Sequence, residues 1–369
     1  MSNSFSVIVR VDASPEIGTG HFMRCFTLAK KLSEMNASIH FISRHMPKYF
    51  VSILKEANFQ FSFLYSELGS NINELPHSAW LGVSQEQDAL QTLSFLHELV
   101  DLIIVDHYAL DAKWENYVRY RTKKIMVIDD LADRSHSCDF LLDQNFFFDA
   151  QKRYEDLVPS YCMKFFGPEF ALLRDEFIFF REKAIVRDGN VKKILVLMGG
   201  IDKFNITFKV IQAINNLNYP IDVDVVVGKQ HPALQVINDL CQNKSYRFFI
   251  QPNNLAQLMT ESDISIGSSG STSWERCAVG LPTICFTQAS NQIPIADNLE
   301  RFGIIVNGGS GVTASVDEIS KTIKNVIDNP KLVKLLSKRS MNLVDALGVL
   351  KVAKSVYKLV HNENFYINL

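Results

Sequence analysis

Two stretches carry the residue types that bind anions and move protons. The first is Ile17-Gly18-Thr19-Gly20-His21, where an apolar run ends and a helical pattern begins. Glycine has no Cβ to hold a phosphate or sugar away from the backbone, and a helix N-terminus directs partial positive charge at the same spot. The loop therefore reads either as an anion cradle carrying an imidazole or as a tight turn with a solvated histidine. The second is Gly267-Ser-Ser-Gly-Ser-Thr-Ser-Trp-Glu275, again a short apolar strand opening into a helix. Its Ser269, Gly270, Ser271 and Thr272 let backbone N–H groups and hydroxyls converge on one anion, beyond what a plain capping loop requires. It lacks the lysine of an ATPase phosphate loop. Glu275 falls one turn into that helix, placed either to accept bonds from ribose hydroxyls or to complement the helix dipole.

The elements that must position these residues follow from hydrophobic periodicity. Strands are predicted at 6–11, 38–43, 59–65, 101–106 and 124–129, with helices at 22–36, 48–57, 85–99 and 112–121 between them and a Ser-, Asn- and Gly-rich loop after residue 65. The run at 101–106 is apolar throughout its interior, as in a parallel strand buried on both faces. Alternation breaks at 146–190 and resumes with strands at 193–198, 223–227, 247–250, 264–266, 283–286 and 304–306, the first followed by Gly199-Gly200. Helices at 312–328, 330–347 and 349–361 close the chain. Repeated β-α-β units imply right-handed crossovers and an α/β class with two doubly wound parallel-sheet, Rossmann-like domains facing a cleft. The expected division is an N-terminal domain at 1–165 with the base and sugar site, a connecting segment at 166–189, a nucleotide-binding domain at 190–347, and a C-terminal helix and tail at 348–369.

At 369 residues the chain exceeds one domain of roughly 100–200 residues. Lys and Arg total 38 against 40 Asp and Glu, which gives no electrostatic footprint for nucleic acid. The six cysteines have no paired metal spacing, and the chain opens without a charged-then-apolar signal segment, so a reducing cytoplasm is expected. No apolar run reaches the roughly 18 residues of a membrane span, so stable membrane insertion is not expected. The segment 45–57, with Phe50, Val51, Ile53 and Leu54 beside Lys48 and Lys55, reads as a core-facing helix or as a membrane-surface one. Asp222-Val-Asp224 has the spacing of a metal motif but stands at a strand start, where a solvated pair is expected.

Arg10-Val-Asp12-Ala-Ser14, Ile17-Gly-Thr-Gly-His21-Phe-Met-Arg24-Cys25, Val105-Asp106-His107-Tyr108, Phe170-Ala-Leu-Leu-Arg174 and Gly270-Ser-Thr-Ser-Trp-Glu275-Arg-Cys277-Ala-Val-Gly-Leu-Pro282 together resemble the signatures of the UDP-2,4-diacetamido-2,4,6-trideoxy-β-L-altropyranose hydrolases of pseudaminic acid biosynthesis, a route to flagellin glycosylation. Both Gly-rich sites also resemble, more distantly, those of the GT-B transferase that adds N-acetylglucosamine to the lipid-linked peptidoglycan precursor. The resemblance implies a GT-B fold, a UDP-amino-sugar substrate, UDP held by the second domain through the Ser/Gly loop and Glu275, and water attack at the anomeric carbon with C–O cleavage and inversion. It favours His21 as the general base over His107, and it implies neither cofactor nor metal. A monomer is expected.

The remaining candidates each carry two readings. Tyr108, just past the fourth strand, either holds the water or sugar or packs in the core. Asp12 orients the glycine loop or His21, or is structural. Arg174 contacts diphosphate or sugar, or makes a surface ion pair. Asn291 and Gln292 contact the donor sugar by analogy with the transferases, or begin a helix. With Gly18 and Gly20, these complete the expected site.

Overall fold

The β-branched runs pair as parallel strands in two sheets. A computed structural model describes residues 4–65 and 74–361; most of the polar loop after residue 65, and the tail at 362–369, lie outside the described residues. The first sheet holds β1 (Phe5–Val11), β2 (Ala37–Ser43), β3 (Gln60–Phe63), β4 (Val100–Asp106), β5 (Thr122–Ile128), β6 (Phe140–Asp143) and β7 (Met163–Phe166), in the order β3-β2-β1-β4-β5-β6-β7. The second holds β8 (Lys193–Leu197), β9 (Asp222–Val227), β10 (Arg247–Ile250), β11 (Ile264–Gly267), β12 (Thr283–Thr287) and β13 (Ile305–Ser310), in the order β10-β9-β8-β11-β12-β13. Strand order reverses between β1 and β4 in one sheet and between β8 and β11 in the other. In open parallel sheets, ligands bind beyond the carboxyl ends of the strands at such a switch point.

Two compact units result. One comprises the chain up to Asn145, Asp149–Leu172 and the helix Gly348–Val360; the other comprises Phe146–Phe148 and Leu173–Leu347. The stretch 146–190 contains more order than its composition suggests. β7 lies within it, and the nearby β6 is only four residues long, too short for periodicity to reveal. Phe146 and Phe148 join the second unit by packing on Phe302, with ring centroids 4.7 and 5.8 Å away. The last helix returns to the first unit, where Val349, Val352, Ala353 and Val356 are fully buried beside Leu28 and Leu32.

Several helix boundaries differ: the helices expected at 22–36 and 312–328 are Gly20–Ser33 and Val316–Ile327. The helix expected at 85–99 is Gln85–Leu93; it ends in the tight turns Phe95 N–H to Thr92 O and Leu96 N–H to Leu93 O, which drop Leu96 into the core. The segment 112–121 is a helix to Val118 with a 3₁₀ turn over Arg119–Arg121. The helix from Pro330 stops at Leu343, because Val344 is extended. The helix Lys48–Glu56 buries Phe50 and Leu54 in the core of the first unit, so its apolar stripe is a packing face.

A fully buried charge network fixes the carboxyl end of β1. Arg10 forks between Asp12 (2.7 and 3.0 Å) and Asp88 (3.0 and 2.7 Å), and Asp88 also accepts from Arg44 Nη2 at 2.8 Å and the Trp114 indole at 2.9 Å. Burial of such ions is tolerated because each carboxylate is bound by guanidinium groups that balance its charge. The Asp222/Asp224 pair divides: Asp222 is exposed, whereas Asp224 is buried and held by Arg247 at 2.6 Å and Lys193 at 3.2 Å, a structural ion cluster rather than a solvated pair.

Candidate active site

In the first unit, the Gly18 loop and the carboxyl end of β4 converge at the switch point. Gly18 adopts φ +85°, and its N–H closes the turn onto Ser14 O at 2.8 Å. A side chain would strain that conformation, although nothing lies within 4 Å of the place a Cβ would take. Thr19 and Gly20 then open the helix Gly20–Ser33, whose apolar face (Phe22, Cys25, Leu28, Ala29, Leu32) is fully buried. That packing holds His21 and Arg24, one helical turn apart, above Asp106 at the end of β4.

The geometry is a dyad with a clamp. His21 Nδ1 lies 2.5 Å from Asp106 Oδ1, while Arg24 donates Nε to Asp106 Oδ2 at 2.6 Å and Nη2 to Oδ1 at 2.7 Å. Arg24 Nη1 reaches on to Asp130 Oδ2 at 3.1 Å. Burial alone would raise the Asp106 carboxyl, but the Arg24 guanidinium and the His21 ring outweigh it and hold the group well below the usual carboxylate range. An ionised Asp106 accepts hydrogen bonds only, so Nδ1 is the ring nitrogen that donates to it, with Arg24 Nη2 3.2 Å away, and in the neutral imidazole that bond directs the free lone pair to Nε2. Tyr108 packs edge-on against His21, with centroids 4.7 Å apart and an interplanar angle of 80°. Its phenol is pushed well up, first by burial and then by the negative charge of Asp130.

Two of the expected residues occupy other positions. Asp12 makes no contact with His21. Its carboxylate accepts from Arg10, Ser43 Oγ (2.9 Å) and Arg44 N–H (2.7 Å), and it lies 3.3 Å from His107 Nε2. His107 Nδ1 in turn accepts the Ala109 N–H at 3.1 Å, and Nε2 faces the Asp12 carboxylate, so that buried ring is turned to Asp12. Asp12 and His107 thus hold the ends of β1 and β4 in place. Asp106 and Arg24 are the residues that spacing alone leaves unassigned. Asp106 stands 85 positions from its imidazole, and the only signals are its place at a strand end and the i, i+3 step from His21 to Arg24.

In the second unit, the Ser/Gly loop follows β11 beside the Gly199 turn that follows β8. Gly199 has φ +106°, and a Cβ there would lie 3.6 Å from Ser268 Oγ. Gly267 is obligatory, because a Cβ would come 2.1 Å from Arg276 Nη1 and 2.6 Å from Leu197 O. Arg276 underlies the loop, donating to Ser268 O at 2.6 Å and Ser273 Oγ at 3.0 Å. Ser269 Oγ donates to Gln292 O at 3.1 Å, and Gln292 Oε1 accepts the Gln288 N–H at 2.9 Å, so the loop and the 3₁₀ turn Ser290–Gln292 form one assembly. Asn291 and Ser271 are exposed, Thr272 is half-buried, and the space over Gly270 is open. Glu275 Oε1 accepts from Arg174 Nη2 at 3.3 Å, while Oε2 is buried with no hydrogen-bond partner among the described residues. Arg174 also pairs with Glu176 at 2.8 Å, which places it against carboxylates.

Two parallel-sheet α/β units with Gly-rich turns at both switch points define the GT-B glycosyltransferase fold. MurG of Acinetobacter baumannii has that fold, superposing with a TM-score of 0.65 over 96% of this chain and all of its own at 12% identity. In sequence the chain is similar to the UDP-2,4-diacetamido-2,4,6-trideoxy-β-L-altropyranose hydrolase of Campylobacter jejuni, at 29% identity over 269 residues, 72% of this chain and 85% of that protein. It is also similar to the uncharacterized protein MJ1062 of Methanocaldococcus jannaschii, at 23% identity over 289 residues; there the match takes in 76% of this chain but only 55% of the relative's length. No family model matches the chain. Among the described residues no helix is long and apolar enough to cross a membrane.

Proposed function

We propose that the chain is an enzyme hydrolysing UDP-2,4-diacetamido-2,4,6-trideoxy-β-L-altropyranose at its anomeric carbon, in pseudaminic acid biosynthesis, as a cytoplasmic monomer. The observation that carries this reading is the His21–Asp106 pair, because a carboxylate on Nδ1 orients the imidazole and leaves Nε2 as the nitrogen that can take a proton. Similarity to the Campylobacter hydrolase supplies the substrate class.

In the proposed reaction, a water oxygen bonds to C1 as the bond from C1 to the phosphate oxygen breaks. His21 Nε2 takes the water proton, and UDP departs with the electron pair. Asp106 stabilises the imidazolium that forms, and Arg24 keeps Asp106 ionised throughout. Attack opposite the leaving group gives inversion. The second unit supplies the nucleotide site, with the Ser/Gly loop toward the diphosphate and Glu275 Oε2 toward the ribose. UDP is a stable leaving group, and hydroxyls with the start of the helix Thr272–Ala278 offset its developing charge.

The test is to incubate the purified protein with the UDP-sugar alone and watch the first-formed anomer by NMR. Free inverted sugar and UDP in the absence of an acceptor are expected. Strict dependence on an acceptor would make the protein a transferase, and retention would reject the single displacement. A binding module without catalysis would leave His21→Ala indistinguishable from the parent, whereas turnover is expected to fall by about 10²- to 10⁴-fold with UDP binding retained.

A further inference from the structure

The catalytic reading leaves an aromatic cluster beside His21 unused. It is built on the short helix Ser78–Leu81, which is pinned from below by fully buried Leu81 and Val83 and closed by Gly82 at φ +72°. Trp80 stacks on Tyr108, with ring centroids 5.5 Å apart and planes 27° apart. His77 wedges against both, 4.5 Å from Trp80 and 5.3 Å from Tyr108. Tyr108 in turn meets His21 edge-on, and the Arg134 guanidinium lies 5.8 Å from the Tyr108 ring. Tyr108 is buried, whereas His77 and Trp80 keep part of their rings accessible.

Packing does not explain why that surface is aromatic. The core contacts of the segment are made by Leu81 and Val83, and a half-exposed indole next to a proton-accepting imidazole adds nothing to them. Burial, with Arg134 and His21 acting against Asp133, holds the His77 imidazole below its ordinary range. At neutral pH His77 is therefore an uncharged, flat ring continuous with the indole.

Resting on the hydrolase reading above, we infer that His77 and Trp80, backed by Tyr108, form the sugar-recognition wall of the site. They take the apolar face of a deoxy, N-acetylated pyranose against aromatic rings. Such a sugar carries a methyl group in place of the C6 hydroxymethyl and two acetamido methyls. An aromatic face gains from burying those groups, and it penalises a sugar that presents hydroxyls there instead. The wall would thus be the specificity determinant for 6-deoxy sugars, and Nε2 of His21 the group that acts on whatever the wall accepts.

The chain contains its own probe. Of its three tryptophans, Trp114 and Trp274 are fully buried, and only Trp80 is accessible. In His21→Asn, titration with the UDP-diacetamido-trideoxy sugar is expected to give a saturable change in tryptophan emission beyond any that UDP alone gives, and that extra change is expected to vanish in His21→Asn/Trp80→Phe. In the otherwise native protein, Trp80→Ala is expected to raise KM for the UDP-sugar by about tenfold and to leave inhibition by UDP unchanged, with Trp80→Phe restoring most of the loss. His77→Ala provides a second variant with the same expected KM shift should Trp80→Ala fold poorly. A change in emission with UDP alone that is lost in His21→Asn/Trp80→Phe would place the nucleotide on the wall and overturn the inference, whereas one that persists there reports Trp274 in the nucleotide-site helix. So would a native KM in both Trp80→Ala and His77→Ala while the parent hydrolyses substrate. If the parent releases no sugar but Trp80 still reports the UDP-sugar and not UDP, the hydrolase reading falls and the wall stands.

Discussion

His21 acts through what holds it, so the sharpest predictions concern its neighbours. Asp106→Asn keeps the shape but can donate as well as accept, which removes the preference for a proton on Nδ1. Turnover is expected to fall by about 10²-fold or more, with KM little changed, in steady-state kinetics. Arg24 tests the same logic through pH. Asp106 is depressed in the folded protein because Arg24 opposes burial; in Arg24→Met burial is left to raise the carboxyl, so Asp106 takes up a proton at a higher pH. The acid limb of kcat/KM is expected to move upward in pH relative to the parent, and an unmoved limb would show that Arg24 does not set the state of Asp106. On the nucleotide side, Glu275→Ala is expected to weaken UDP binding by about 1–3 kcal/mol in calorimetry, because a carboxylate oxygen buried without a partner is the atom best placed to accept a ribose hydroxyl. Arg174→Ala is expected to weaken it less, since Arg174 acts by holding Glu275 Oε1.

At the scale of elements, the Arg10–Asp12–Asp88 network ties β1 to the helix Gln85–Leu93 and to the turn after β2. Removing one charge leaves its partner buried and unpaired, so Asp88→Ala is expected to cost about 3–5 kcal/mol in denaturant unfolding. Asp88 is lowered despite its burial, chiefly by Arg10. A depressed carboxyl contributes stability above its unfolded pKa of about 3.9 and loses it as pH falls through the folded value, so the gap between parent and variant should narrow below about pH 4. Elements of this kind were legible where periodicity reaches: the runs at 6–11 and 101–106 are unmistakable buried strands. β6 was not, because four residues carry almost no period and its neighbours β5 and β7 are what make it a strand. The site divides in the same way. Gly18 and His21 show themselves by local spacing, whereas the pairing of His21 with Asp106 and the diversion of Asp12 to Arg10 and His107 depend on which strands become neighbours.

The chain as a whole passes from one unit to the other and returns. Nothing local to residues 348–360 announces where that amphipathic helix will dock, since its partners Leu28 and Leu32 lie more than three hundred positions earlier. Burying Val349, Val352, Ala353 and Val356 contributes about 6–10 kcal/mol of apolar transfer, comparable with the total stability of a domain, about 5–15 kcal/mol. The docking is also close at its start: a Cβ on Gly348 would come 2.4 Å from Ala171 O and 2.5 Å from Ala171 N, backbone atoms that cannot step aside. The first unit should therefore depend on the end of the chain, and the second should not. Truncation after Leu347 is expected to abolish sugar release and remove the thermal transition of the first unit, while UDP binding persists. Gly348→Val in the full chain should lower that same transition and spare the other. A truncated chain that hydrolyses like the parent would mean that the helix is an accessory, and that the core of the first unit is complete without it.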